Sequence, residues 1–366
     1  MLDYDNLYSD LYENEEEHYP DFFVEWDEAV RTGKSPGYYE PEELTDIIDI
    51  YLMENEQERA KQAIEHALKL YVSDEDLLYE ILLLLNDYEQ WNDLLALCER
   101  YGSTADVWAD GHKLTALLHL GMEEKTFHFF GTLKEKYADD VEGLNIIYQA
   151  MGEALIEVDL YESAVEVMKE AIAVMGEDVD FYWLLLQSYT SLYEKAEVIE
   201  LAEKIQKLEP LVADSWYRLG IVFQEINDLD KAIDAFEYAH SLDPTSQNNM
   251  MSLIYTYEKN GNYYKAVEKI QDFLHLYPDN YLVLIIASKI CAQVEDWKEA
   301  LKYINDAIIL VPEIDALYLY KSSFLLQLEE YKKAKLALKD GIERTDDPDG
   351  DLKKELNRLN EQYPNF

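Results

Sequence analysis

The sequence predicts an all-α fold, an α-solenoid of stacked helical hairpins, and three observations carry that expectation. The first is a 34-residue period through most of the chain. Trp216, Leu219, Gly220, Phe223, Ala232, Phe236, Ala239 and Pro244 recur one period on as Met250, Leu253, Ile254, Tyr257, Ala266, Ile270, Phe273 and Pro278. They recur again as Leu284, Ala287, Ser288, Cys291, Ala300, Ile304, Ala307 and Pro312. A period of this length marks repeated helical hairpins. The second is a position kept small: Ala60, Leu94, Ala164, Val198, Ala232, Ala266, Ala300 and Ala334. Small side chains there let two helices approach closely. The third is Pro210, Pro244, Pro278 and Pro312, which close four consecutive units where a helix must stop.

In chain order, Met1 to about residue 40 forms an acidic, tyrosine-rich leader with a capping helix over roughly 20–32. Phe22, Trp26, Ala29 and Val30 make its apolar stripe, with Pro20 and Asp21 at its start and Gly33 at its stop. Tyr4, Tyr8, Tyr12 and Tyr19 stand outside the repeat, in an arm that is either poorly ordered or a mimic of a groove ligand. Repeat units begin near Pro41, Glu75, Ala109, Asn145, Val179, Ala213, Gln247, Tyr281 and Asp315, so the array spans 41–346. The large core position of the first helices reads Tyr51, Leu85, Leu155, Tyr189, Phe223, Tyr257, Cys291 and Leu325. Aromatics open many second helices: Trp91, Tyr161, Tyr263, Trp297 and Tyr331. Between Ala109 and Asn145 the spacing is 36, which calls for two extra residues in a helix or loop. Leu352, Leu356 and Leu359 then mark a closing helix over 347–366.

On these residues the chain resembles the tetratricopeptide repeat family, of the bacterial cytoplasmic type. The unit Ala213 to Ser246 carries all eight positions of that family's pattern. The resemblance implies a right-handed superhelix of about nine hairpins, capped at both ends, acting as a protein-binding scaffold. It also implies a concave groove lined by five positions of each first helix. Carried over, these include Asp180, Trp183, Gln187, Thr190 and Ser191, then Asp214, Tyr217, Ile221, Gln224 and Glu225 with Arg218 alongside. The next unit supplies Asn248, Met251, Tyr255, Glu258 and Lys259. The candidate peptide-binding residues are therefore Trp183, Gln187, Tyr217, Arg218, Ile221, Asn248, Met251 and Tyr255, with aromatics to stack and amides to pair with an extended backbone. In the amino-terminal units the same positions hold Glu42, Thr45 and Asp49, then Asp76 and Tyr79, with Asp46 and Glu80 alongside and later Glu153 and Glu157, which makes that face acidic. The Lys and Asn pair by which some members hold a carboxylate tail is missing from these units.

Charge is the second strong fact. Seventy-seven acidic and 31 basic residues leave a net charge of −46. Residues 1–60 hold 19 acidic and 3 basic residues, whereas 315–366 hold 11 and 9. That sign excludes nucleic acid, whose binding rests on Lys and Arg at phosphates, and repels an anionic membrane. It either steers a basic protein or peptide toward the amino-terminal half or simply keeps a tyrosine-rich array soluble. No apolar run is long enough to span a membrane, and no basic, apolar leader is present. Cys98 and Cys291 fall at core positions far apart, which suits two reduced thiols and a cytoplasmic protein.

Catalysis is not expected. Gly-x-Ser-x-Gly, Gly-x-Gly-x-x-Gly and phosphate-loop sequences are absent. His112, His119 and His128 suit ordinary helix positions better than a metal site. Asp346, Asp347, Asp349, Gly350 and Asp351 hint at a calcium loop, but its twelfth position falls on Leu356, where Glu is required. No cofactor or metal is expected. The alternative to a peptide-binding scaffold is a structural subunit of a larger assembly or a homo-oligomer.

Overall fold

The computed structural model describes residues 19–72, 74–101, 107–345 and 350–364. Among them are twenty helices: a leading one, nine antiparallel pairs and a closing one. The pairs are Pro41–Met53 with Gln57–Leu70, Glu75–Asp87 with Trp91–Tyr101, and Val107–His119 with Glu123–Lys136. Next come Val141–Glu157 with Tyr161–Met175, Val179–Ser191 with Lys195–Leu208, and Ala213–Glu225 with Leu229–Leu242. Gln247–Lys259 with Tyr263–Leu276, Tyr281–Gln293 with Trp297–Leu310, and Asp315–Gln327 with Tyr331–Arg344 complete the series. The chain divides into two compact units, one through Leu185 and one from Leu186.

Every hairpin turns by the same device. Asn55, Glu89, Gly121, Asp159, Tyr193, Asn227, Gly261, Glu295 and Glu329 all have φ between +56° and +74°. The next residue's N–H reaches back to a carbonyl five positions earlier at 2.8–2.9 Å, from Glu56 to Tyr51 in the first hairpin through Glu330 to Leu325 in the last. This is the Schellman closure, in which one left-handed residue lets the orphan carbonyls of a helix end find donors.

These turns fix the register in the region where the sequence pattern is faint. Between Glu89 and Gly121 the spacing is 32, between Gly121 and Asp159 it is 38, and elsewhere it is 34. The third pair thus starts at Val107, two residues before Ala109, and the fourth at Val141, four before Asn145. The extra length lies in Val141–Glu157, which has 17 residues against 13 in the other first helices. Thr126 takes the small position of the third pair. It is fully buried, and its hydroxyl donates to the Met122 carbonyl at 3.0 Å. Asp110, also buried, accepts from Lys136 Nζ at 2.6 Å and Tyr137 Oη at 2.8 Å, so a polar cluster braces this hairpin.

The remaining small positions, Ala60, Leu94, Ala164, Val198, Ala232, Ala266, Ala300 and Ala334, are all buried. Of the large positions, all but the half-buried Tyr189 are buried as well. Close approach is tightest at Gly220, where a Cβ would collide with the Phe236 ring.

Asp21–Arg31 closes the amino-terminal end. Trp26 and Phe23 are its buried residues, whereas Phe22, Ala29 and Val30 are only half-buried. Phe23 stands 5.1 Å from the Tyr51 ring and Trp26 meets Tyr39 edge-on at 5.3 Å. The stripe therefore keeps Trp26, with Phe22 and Val30 packed at its edge, and gains Phe23. Tyr51 donates to Asp27 at 2.9 Å, and Tyr19 donates to Glu54. Tyr4, Tyr8 and Tyr12 lie outside the described residues. At the other end Leu352 and Leu359 of Asp351–Gln362 are buried and Leu356 half-buried. Lys335 Nζ donates to the Tyr363 carbonyl at 2.7 Å, and Tyr331 stacks on Tyr363 at 4.2 Å. Asp346, Asp347 and Asp349 lie outside the described residues; Gly350 has φ +66° and precedes the closing helix.

Two substitutions test this packing. Gly220→Ala should lower stability by about 1–3 kcal/mol through overpacking against Phe236. Glu295→Gly should raise it by about 0.5–1 kcal/mol by relieving a left-handed residue. Urea unfolding at fixed pH and salt measures both.

Candidate functional site

In the second unit the first helices of the sixth and seventh pairs, Ala213–Glu225 and Gln247–Lys259, carry most of the candidate residues. Helical spacing sets Tyr217 and Ile221 on one face of the former, and Asn248, Met251 and Tyr255 on one face of the latter. Tyr217, Ile221 and Met251 are half-buried, whereas Arg218 and Asn248 are exposed. Tyr255 is 55% exposed, high for an aromatic within a well-packed helix. Gln224 donates to Thr256 and Gln293 donates to Glu258, so amides tie successive first helices together. Trp183 lies in the first unit and is buried, leaving little of its ring for a ligand. Gln187 is exposed and belongs to the second unit. Thr190 is buried and donates to the Leu186 carbonyl at 2.7 Å.

Tyr217 and Asn248 share a cavity of about 160 Å³. Its remaining lining is Ala213, Asp214, Ala239, Asp243, Ser246 and Asn249. The sequence reading missed Asp243, Ser246 and Asn249, because the period puts them between units or on the inward side. Asp243 Oδ1 accepts from the Thr245 N–H at 3.0 Å and its hydroxyl at 2.8 Å. Those bonds hold its carboxyl below the usual value. Ser246 caps the following helix, accepting from the Asn249 N–H.

In the first unit the equivalent positions are acidic and partly engaged. Asp49 accepts from Tyr88 Oη at 2.7 Å, a bond that pushes the Tyr88 hydroxyl up to about 12. Burial raises the Glu153 carboxyl above its usual range, and the neighbouring charges of Glu157 and Asp180 raise it further. Buried Cys98 and Cys291 are free thiols, pushed up to about 12 and about 11 by desolvation. Neither is poised as a nucleophile, which needs a depressed value. His119 stacks on Trp91 at 3.9 Å and meets Glu157 at 3.0 Å, while His112 packs toward Tyr79. Among the described residues no three His, Cys, Asp or Glu side chains converge as metal ligands. No described helix is long and apolar enough to cross a membrane.

The profile of the family "Anaphase-promoting complex, cyclosome, subunit 3" matches residues 225–307. No curated protein matches the sequence. Among solved structures, the chain is similar to the C-terminal part of a TPR repeat-containing protein from Cytophaga hutchinsonii. The two are 16% identical, with 64% of this chain and 95% of that one covered and a TM-score of 0.49. A tetratricopeptide repeat protein from Parabacteroides merdae is 12% identical, with 74% and 98% covered and a TM-score of 0.40. YrrB, a TPR protein with an unusual peptide-binding site, is 18% identical, with 52% and 97% covered and a TM-score of 0.41. The paired helices and their 34-residue spacing form a helical-repeat fold of the tetratricopeptide type, and the profile matches one stretch of it.

The raised Glu153 carboxyl yields a pH test. A carboxyl raised in the fold favours folding when protonated, and that contribution fades as pH climbs through the raised value. Glu153→Gln should therefore melt above the parent at pH 7, and the difference should vanish below about pH 4, where the parent carboxyl is protonated. Calorimetric scans at the two pH values read it directly.

Proposed function

We propose that this chain is a protein-binding scaffold that performs no chemistry and receives an extended peptide or partner helix along the first-helix face. The observation that carries the reading is the exposed Tyr255 ring, two turns along the helix whose Asn248 shares a cavity with Tyr217. Rigid aromatics beside amides suit a peptide, because they offer contact area at low entropic cost while the amides pair with its backbone. Ile221, Met251 and Arg218 extend that surface, and Gln187 is exposed on the fifth pair. The charge of −46 suits a basic partner, and two buried free thiols suit a reducing compartment such as the cytoplasm.

A second reading is a subunit of a larger assembly. The matching profile describes a subunit of a complex, and Ile309, Leu336 and Tyr264 are large side chains left 76%, 65% and 82% exposed.

The test is affinity capture from native lysate by the parent and by a Met251→Ala, Tyr255→Ala variant, at low and at physiological salt. Neither side chain is buried, so the variant should keep its helical circular dichroism. On the groove reading, the principal captured protein loses about ten-fold or more in affinity for the variant. Equal capture by both, insensitive to salt, supports the assembly reading instead.

A further inference from the structure

One lysine of the second unit occupies a place that the repeat otherwise gives to apolar side chains. Eight positions before the left-handed turn residue, the first helices carry Ile47, Ile81, Met151, Leu185, Leu219, Leu253 and Ala287, all buried. The two exceptions are lysines. Lys113 sets its Nζ over the Phe129 ring at 4.6 Å. Lys321, in the ninth pair, is half-buried and makes no hydrogen bond, ion pair or ring contact among the described residues. Burial holds its ammonium below the usual lysine pKa; the Asp340 charge works against that shift and the Arg344 charge adds to it. A partly desolvated cation without a counter-ion costs free energy that an anion would recover.

Lys321 lines a cavity of about 580 Å³ between the eighth and ninth pairs. Leu301, Leu325, Leu336 and Ala337 give it apolar walls, and Asn305 adds an amide. The two carboxylates in the lining are already matched: Glu330 pairs with Lys333, and Asp340 with Arg344 at 2.7 Å. Lys321 is the surplus charge. We propose that this cavity binds a small amphipathic monoanion, an apolar chain ending in one carboxylate, with the carboxylate on Lys321 and the chain along Leu301 and Leu336. The claim does not rest on the peptide groove of the first helices. A volume of this size falls among small-molecule sites, which pair apolar walls with a few polar groups. The lysine ammonium and the Asn305 amide carry donors only a few atoms wide, and a carboxylate accepts from both. Leu336 is 65% exposed, so apolar area remains there for a ligand to cover. The rest of the chain limits the ligand to one charge. Against a net charge of −46, repulsion grows with each negative charge a ligand brings, which disfavours polyanions and acidic proteins.

The experiment titrates the full-length chain with octanoate, and separately with octan-1-ol, by isothermal calorimetry at physiological salt and below the micelle range. The expected result is one saturable site for octanoate, with octan-1-ol weaker by about ten-fold or more because it lacks the charge. Lys321→Met keeps the length of the side chain and removes the ammonium, so it should weaken octanoate by about ten-fold or more. Without ligand the same variant should melt above the parent, since it restores an apolar residue at the repeat position. Leu336→Asp sets a carboxylate on an exposed rim position, so it should fold and also weaken octanoate. Three results overturn the proposal: octanoate fails to bind, octan-1-ol binds equally well, or Lys321→Met binds octanoate as the parent does. Should Lys321→Met not fold, undiminished octanoate binding by Leu336→Asp overturns it instead.

Discussion

One local constraint organises the molecule: each hairpin must reverse in a turn short enough to keep its two helices in contact. Nine residues in the left-handed region accomplish this, and only Gly121 and Gly261 of the nine are glycine. For a residue with a Cβ that conformation costs roughly 1 kcal/mol, so the remaining seven store strain. What offsets it is visible in the backbone. The carbonyl that receives the closing N–H belongs to the large core residue of the first helix, such as Tyr51, Phe223 or Tyr257. Turn and core are thereby one device, since the residue whose side chain anchors the helix interface also anchors the reversal. Five of the turns are followed, two residues on, by the aromatic that opens the second helix, at Trp91, Tyr161, Tyr263, Trp297 and Tyr331.

This coupling explains which parts of the fold could be read from the sequence. Where Ala and an aromatic hold their places, as in Ala213 to Ser246, spacing alone located both helices. The third pair defeated that approach because Thr126 fills an alanine's place and Asp110 with Lys136 and Tyr137 supplies bracing that no apolar pattern reports. Gly121 was the available signal: a glycine at a helix end fixes the turn, and counting from it gives Val107 and Val141 as starts. The candidate face was legible for Tyr217 and Asn248, which the period delivers to one cavity. Asp243 and Asn249 were not, because one lies between helices and the other reads as an inward position. Their meeting depends on packing of three helices, which no spacing rule states.

The electrostatics show how so acidic a chain remains folded. With 31 basic residues against 77 acidic ones, ion pairs cannot satisfy the carboxylates that fall near the core. Tyrosine does part of that work. Tyr51 donates to Asp27, Tyr88 to Asp49, Tyr148 to Glu170 and Tyr257 to Glu237. A phenol buries a ring in the helix interface and leaves a hydroxyl at its rim, so one residue serves packing and charge together. Desolvation and these carboxylates raise all four hydroxyls, which keeps them protonated donors through the physiological range.

That arrangement has a consequence for recognition. Carboxylates already held by tyrosine hydroxyls offer less to an incoming cation than those facing open solvent, so net charge alone overstates how many sites can take one. Asp27 and Asp49 are engaged in this way, and Asp27 also pairs with Arg31. Long-range attraction belongs to the whole array and weakens with salt.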